Sequence, residues 1–237
     1  MALPELGILA YSIIIFLCLV VAVLYLGYCH NEAHWGGAGF ACLDGLNLLM
    51  CRHFHRLKHD PVPLPEKGGC LVVCNHVSGL DPLLMIAATK RPLRFMIARE
   101  EYERFGLQWL FRGVGCIPVE RKGRPEQALR EALRSLNDGE VVALFPHGKI
   151  HLDSDPPRKL KGGVAWLAKQ AEVPVFPMRL TGIRGAGHTL LSVLMRSRAR
   201  LRVYDKLSCQ DIKSAACMEL IAECIEGRQD TGEHDVE

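Results

Sequence analysis

Apolar residues fall along the 237-residue chain in three regimes. From Leu6 to Cys29, 24 consecutive positions carry no Asp, Glu, Lys or Arg. As a helix that stretch extends roughly 36 Å, enough for a hydrocarbon core of about 30 Å. From Phe40 to Leu57, apolar residues recur at Phe40, Leu43, Leu46, Met50, Phe54 and Leu57, a helical spacing. After the proline- and glycine-rich connector Pro61–Gly69, short β-rich runs alternate with helical patterns. The runs predict strands over Cys70–Cys74, Phe95–Ala98, Cys116–Val119, Val141–Phe145, Val173–Met178 and Leu201–Tyr204. Helices are predicted over Pro82–Thr89, Arg124–Asn137, Gly162–Ala171 and Asp211–Ile225. The expected fold is α/β, a mixed and mostly parallel sheet flanked by helices on both faces.

The first regime reads as a membrane helix retained in the mature chain. A cleaved secretory signal would carry a basic start, a shorter apolar run and a small-residue cleavage site. The chain starts Met-Ala-Leu-Pro-Glu instead, and Leu26-Gly27-Tyr28-Cys29-His30 makes a poor cleavage site. Basic residues follow the span at Arg52, Arg56 and Lys58 and none precedes it, which predicts a single-pass protein with its bulk on the cytoplasmic side. For the second regime two readings stand: a helix packed on the domain, or an amphipathic helix in the bilayer interface with its basic face toward anionic lipid. Its position just after the anchor favours the second. The expected organisation is an anchor over 1–30, a juxtamembrane amphipathic segment over 31–60, a globular domain over 61–226 and a flexible acidic tail over 227–237.

Composition changes this picture little. The hydrophobic fraction is 49% and the charged fraction 23%, which excludes a disordered chain and a polytopic membrane protein. The net charge of +3 is too small to suggest a nucleic-acid partner. Without the tail, 28 basic residues face 22 acidic ones, so the folded part is modestly basic. Ten scattered cysteines form no Cys-x-x-Cys pair; a cytoplasmic location predicts free, mostly buried thiols, and no metal site is expected.

Candidate chemistry starts where the first strand of the domain runs into Cys74-Asn75-His76-Val77-Ser78-Gly79-Leu80-Asp81-Pro82. Asp before Pro predicts a helix start with Asp81 as the N-cap. A His in the strand-to-helix turn with a carboxylate five residues on makes a base and its orienter, the arrangement that activates a hydroxyl. Spacing alone is weak, because 10 His and 10 Asp give about 0.4 such pairs by chance. A second pair, His55 and Asp60, does occur. It lies outside the sheet pattern with a proline following, and reads as the chance member. Taken by itself, His76 reads first as a structural histidine.

Three further motifs change that reading. Gly115-Cys116-Ile117-Pro118-Val119-Glu120-Arg121 leaves a strand and ends on a cation, and Phe145-Pro146-His147-Gly148-Lys149 leaves another with a second cation. Val173-Pro174-Val175-Phe176-Pro177 is an extended segment whose two prolines are odd for a central strand. Together with Ala98-Arg99-Glu100 and Lys159-Leu160-Lys161-Gly162-Gly163, these resemble the four ordered blocks of the glycerolipid acyltransferase family, over residues 70 to 182. That family includes bacterial lysophosphatidic acid acyltransferases.

The resemblance implies an O-acyltransferase that needs no cofactor beyond its donor substrate, acyl-CoA or acyl carrier protein. His76 is then the general base and Asp81 fixes its tautomer, while backbone N–H groups near the turn are candidates for the oxyanion. The second and third blocks would hold the phosphate of a membrane-lipid acceptor, through Arg121 and through Pro146, His147, Gly148 and Lys149. Arg121 is the best single candidate, because a guanidinium meets phosphate oxygens bidentately; the competing reading is a surface salt bridge with Glu120. The third block departs from the family's usual Phe-Pro-Glu-Gly-Thr-Arg: His147 replaces the acid, and Lys149-Ile150 replaces Thr-Arg. This variant is similar to the tafazzin branch. Either His147 removes a negative charge from the acceptor site, or it is a neutral structural substitute. The expected acceptor is 1-acylglycerol-3-phosphate, with another lysolipid, an amino-acid lipid or a catalytically weak lipid-binding role as rivals.

Overall fold

A computed structural model describes residues 3–227 apart from 122 and 124, so the acidic tail beyond Gly227 lies outside the described residues. Helix α1 spans Leu3–His30, and its apolar stretch Ile8–His30, which reaches a mean hydropathy of 2.8, is unburied except at Gly27. Helix α2 covers Ala38–Leu49 and continues as a π-helical turn over Met50–Phe54. The two helices meet tightly: a Cβ on Gly45 would lie 1.8 Å from the Gly27 carbonyl oxygen, so only glycine fits the crossing. Buried Asp44 fastens the connection by accepting hydrogen bonds from the Glu32 and Ala33 N–H groups and from Trp35 Nε1. These bonds satisfy a carboxylate that an apolar helix would otherwise bury at high cost.

The sheet begins with β1 (Lys58–His59) and β2 (Cys70–Cys74), followed by α3 (Asp81–Ala88) and β3 (Leu93–Ala98). Two short helices, α4 (Arg99–Tyr102) and α5 (Gln108–Gly113), lead to β4 (Ile117–Val119). Then come α6 (Glu126–Asn137), β5 (Val141–Leu144), α7 (Gly163–Gln170) and β6 (Val175–Thr181). The short α8 (Leu191–Leu194), β7 (Arg200–Val203) and α9 (Ser214–Glu226) close the chain. Among the described residues seven strands lie in the order β1-β7-β6-β2-β5-β3-β4, and of their pairings only β6–β7 is antiparallel. Strand β2 is buried on both faces, as its unbroken Cys-Leu-Val-Val-Cys run requires. Cys70, Val72 and Cys74 pack toward α2 and α3, whereas Leu71 and Val73 pack toward α6, α7 and α9.

All six predicted strands and all four predicted helices are present, with ends moved by a few residues. Strand β1 was not expected; it pairs parallel with β7 and brings residues ahead of the Pro61–Gly69 connector into the sheet. The segment set apart as juxtamembrane is packed on the domain: Leu48, Cys51 and Leu57 belong to its core, and Asn47 Nδ2 donates to the Leu83 carbonyl of α3. Leu43 and Phe54 stay exposed on the same helix. Pro177 does lie in an interior strand. Its carbonyl accepts from the Tyr204 N–H, and the donor it lacks falls just past the end of the β6–β7 ladder. The expectation of free thiols fails at one place: Cys209 and Cys217 form a disulfide, eight residues apart, joining the loop after β7 to the first turn of α9. An eight-residue separation across a loop and a helix start carries no signal in sequence. The other eight cysteines are not joined in disulfides.

Candidate active site

The parallel sheet explains why blocks far apart in sequence meet. Strands β2, β4 and β5 point the same way, so the segments leaving their carboxyl ends emerge at one edge. Those segments carry His76, Arg121 and Phe145–Lys149. Strand β6 is parallel to β2 and sends its following loop to the same edge, where Gly187 N–H donates to Val77 and Gly79 N–H to His188. Asn75 fixes the start of the turn by exchanging hydrogen bonds with both backbone groups of Leu180.

At the centre His76 Nδ1 lies 2.8 Å from Asp81 Oδ2. The same oxygen accepts the N–H groups of Val77 at 2.6 Å and Ser78 at 2.9 Å, while Ser78 Oγ donates to Oδ1 at 2.7 Å. Asp81 is fully buried. A carboxylate facing Nδ1 makes that nitrogen the donor and leaves the Nε2 lone pair as the base. The imidazole also stacks on Phe145, with centroids 4.1 Å apart and planes 14° apart, so two contacts define its plane. Asp81 is the first residue of α3 and not its cap: its oxygens turn back into the loop, where the unmatched donors are.

Gly79 is required by geometry, since a Cβ there would fall 2.1 Å from the Thr189 carbonyl oxygen. From Val77 to Leu80 the turn's backbone donors are taken, since Val77 and Ser78 serve Asp81, Gly79 serves His188 and Leu80 serves Ser78 Oγ. An oxyanion must therefore be met by other donors. The backbone carbonyl of His76 accepts the His151 N–H at 2.7 Å, tying the base to the segment after the third block.

His76 opens on a cavity of about 720 Å³ that Arg121, Gly148 and Lys149 also line. Its other walls are mostly apolar, with Phe40 and Leu43 from α2, Leu83 and Ile86 from α3, and Phe95 and Ile97 from β3, though Asp44, Asn47, Glu101 and Arg104 also reach it. Glu120 pairs with Arg99 at 2.8 Å, and not with Arg121. Lys161 lays its chain over Gly148, where φ is +71°, so a further ammonium stands beside the third block. Cys116 is on the cavity wall, but burial pushes its thiol up to about 11, which removes it as a thiolate nucleophile.

Two expected site residues are placed elsewhere. Pro146 and His147 do not line the cavity, and Pro146 contributes only a carbonyl that accepts from Lys161 N–H. His147 is buried, stacks on His151 at 4.5 Å and has Nε2 3.8 Å from Glu226 Oε1 of α9. Burial, then the neighbouring His151, holds its pKa below the ordinary histidine value. That position fits a neutral structural substitute. The functional parts that sequence reasoning passed over are Ser78, Gly79, Phe145 and Lys161. Ser78 and Gly79 lie within the quoted turn, but nothing in the string shows that one bonds Asp81 and the other abuts Thr189. Among the described residues no three His, Cys, Asp or Glu side chains gather in a metal-binding group.

The acyltransferase family model matches residues 55–181, just over half of the chain. A 1-acyl-sn-glycerol-3-phosphate acyltransferase of Streptococcus pneumoniae is 27% identical over 182 residues, covering 73% of this chain and 64% of that one. An N-acylphosphatidylethanolamine synthase of Arabidopsis thaliana is 37% identical over 120 residues, 46% of this chain and 42% of that one. The matches thus span less than two thirds of either relative's length. The fold is similar to that of the 1-acyl-sn-glycerophosphate acyltransferase of Thermotoga maritima, with a TM-score of 0.60 over 83% of each chain at 17% identity.

Proposed function

The chain belongs to the glycerolipid acyltransferase family, and on that premise we propose that it is a membrane-bound O-acyltransferase whose acceptor is 1-acylglycerol-3-phosphate. The observation that carries this reading is the His76–Asp81 pair facing an apolar cavity whose polar corner holds Arg121 and Lys149. A lysolipid fits both halves, with its phosphate at the cations and its chain along the apolar walls. His76 Nε2 takes the proton of the acceptor hydroxyl as the oxygen attacks the thioester carbonyl of acyl-CoA or acyl carrier protein. The carbon–oxygen ester bond forms, the carbon–sulfur bond breaks, and the proton passes from the imidazolium to the departing thiolate. Asp81 steadies the imidazolium between these steps. Arg52, Arg56 and Lys58 follow α1, which supports placing the domain on the cytoplasmic side.

A second acceptor reading draws on the Arabidopsis relative's name: a different lysolipid, or the amine of an ethanolamine lipid. Acyl transfer from acyl-CoA by the membrane-reconstituted protein, measured across phosphate, choline, ethanolamine and glycerol lysolipids, separates the two. His76→Ala should lower kcat by about 10²–10⁴-fold on whichever acceptor is used. Turnover equal to wild type would overturn the mechanism. Arg121→Ala should raise KM about tenfold or more for a phosphate monoester acceptor and leave a neutral acceptor nearly unchanged.

A further inference from the structure

Outside α1, the most exposed large apolar side chains are grouped. Phe105, 102% exposed, stands just ahead of α5, and Trp109, 62% exposed, stands in its first turn. Leu191 and Leu194, 47% and 75% exposed, stand on α8. Both segments border the same opening: Leu107 and Phe111 on one side, and Leu190 and Val193 on the other, line the cavity of His76. Phe105, Trp109, Leu191 and Leu194 do not line it and instead face outward around its rim. Exposed apolar groups gathered at one place mark a contact surface. The exposed Arg112, Arg196 and Arg198 are interleaved with them, while Arg104 pairs with Glu101 at 3.0 Å.

The position of this rim in the fold identifies what meets it. Trp109 stacks on Phe40 of α2 at 6.4 Å, and a Cβ on Gly113 would fall 2.1 Å from the same Phe40 ring. Two residues further on, the Cys42 carbonyl abuts Gly27 of α1. One helix therefore separates Trp109 from a span that is apolar and, apart from Gly27, exposed. The Gly27–Gly45 crossing and the Asp44 bonds make that junction rigid, so α1 fixes which face of the domain approaches the bilayer. Aromatic and leucine side chains interleaved with arginine suit the headgroup zone of an anionic membrane. An acidic protein would answer the arginines but leave the four apolar side chains without a reason.

We propose that Phe105, Trp109, Leu191 and Leu194 enter the interfacial zone of the bilayer that α1 crosses, seating the cavity rim on an anionic lipid surface. A lipid acceptor then passes from the leaflet to His76 without crossing bulk water. That last consequence rests on the acyltransferase reading; the membrane contact does not.

The test uses the full chain in vesicles of phosphatidylcholine and phosphatidylglycerol with brominated acyl chains. Bromine quenches tryptophan emission on contact, and Trp109→Phe, which keeps the apolar surface, isolates one of the chain's three tryptophans. The component removed by Trp109→Phe should be quenched at least about twofold. An unquenched Trp109 component overturns the proposal, as does one protected by an acidic carrier protein and not quenched by bromolipid. In a second arm, Phe105→Ser combined with Leu194→Ser should raise the apparent KM for a vesicle-borne lysolipid about tenfold, with unchanged turnover on acceptor in detergent micelles. Equal KM in vesicles and micelles counts against it. If wild type consumes no thioester with any acceptor, the enzymatic reading fails while the quenching result still decides the membrane contact.

Discussion

The chain contains the spacing His-x4-Asp twice, and the backbone bends within one copy and extends within the other. After His76 the backbone turns through Ser78, Gly79 and Leu80 before α3 begins, so residues five apart come within 2.8 Å. After His55 the chain passes through Arg56, at φ +50°, and extends as β1. Asp60 then accepts the Val203 N–H at the sheet edge, while the His55 ring is fully buried against Phe54. A motif defined by spacing becomes a site only where the backbone between its ends is bent. The bend is itself held by the carboxylate, through the Val77 and Ser78 N–H groups. Asp81 is thus both the partner of the base and the staple of the turn.

Separating those two duties gives the largest expected effect. Asp81→Asn keeps one acceptor oxygen for His76 and the two N–H groups, and turns an amide toward Ser78. The serine hydroxyl can rotate from donor to acceptor, so the turn survives. The negative charge is lost, and the imidazolium with it. We expect kcat to fall about 10²-fold or more with Tm nearly retained; retained kcat would show that Asp81 is only a staple. Ser78→Ala has the complementary effect, since it leaves Oδ1 buried without the 2.7 Å bond. It should cost about 1–3 kcal/mol of stability and only a few-fold in kcat. A urea melt and a kcat measured below the melting range distinguish the two variants.

The elements were legible because each has a strong local signal. An uninterrupted Cys-Leu-Val-Val-Cys run between a glycine pair and an Asn-His turn reads as a buried strand, and β2 occupies those five residues. The His76–Asp81 pairing was legible only through the company of the other blocks, since His55 and Asp60 share its spacing. Contacts between distant segments were not legible. Gly79 against Thr189, Phe145 over His76 and Asn75 on Leu180 depend on how β2, β5 and β6 align, which no single segment encodes. The same holds for α2: its apolar spacing announced a helix, but whether Leu48 and Cys51 met lipid or protein depended on α3. His147 stands in the block that the resemblance ties to the acceptor, and sequence alone leaves a neutral structural role equally open; the turn buries it toward α9.

The smallest expected effect concerns the copy that built no site. His55 lies outside the cavity, so His55→Phe should leave kcat within about twofold of wild type. Its contribution appears in acid. Burial lowers the pKa of His55, and the Val193 backbone offsets this only in part. The unfolded chain therefore takes up the proton first, and folded-state stability is lost as pH falls below the ordinary histidine value of about 6.5. His147, lowered chiefly by burial, acts in the same direction. Between pH 7 and 5 the wild-type Tm should decline, and His55→Phe should flatten part of that decline while His147→Gln flattens another part. If His55→Phe left the acid slope unchanged, the buried imidazole would already be charged at neutral pH. It would then need a counter-charge that Asp60, engaged with Val203, does not supply.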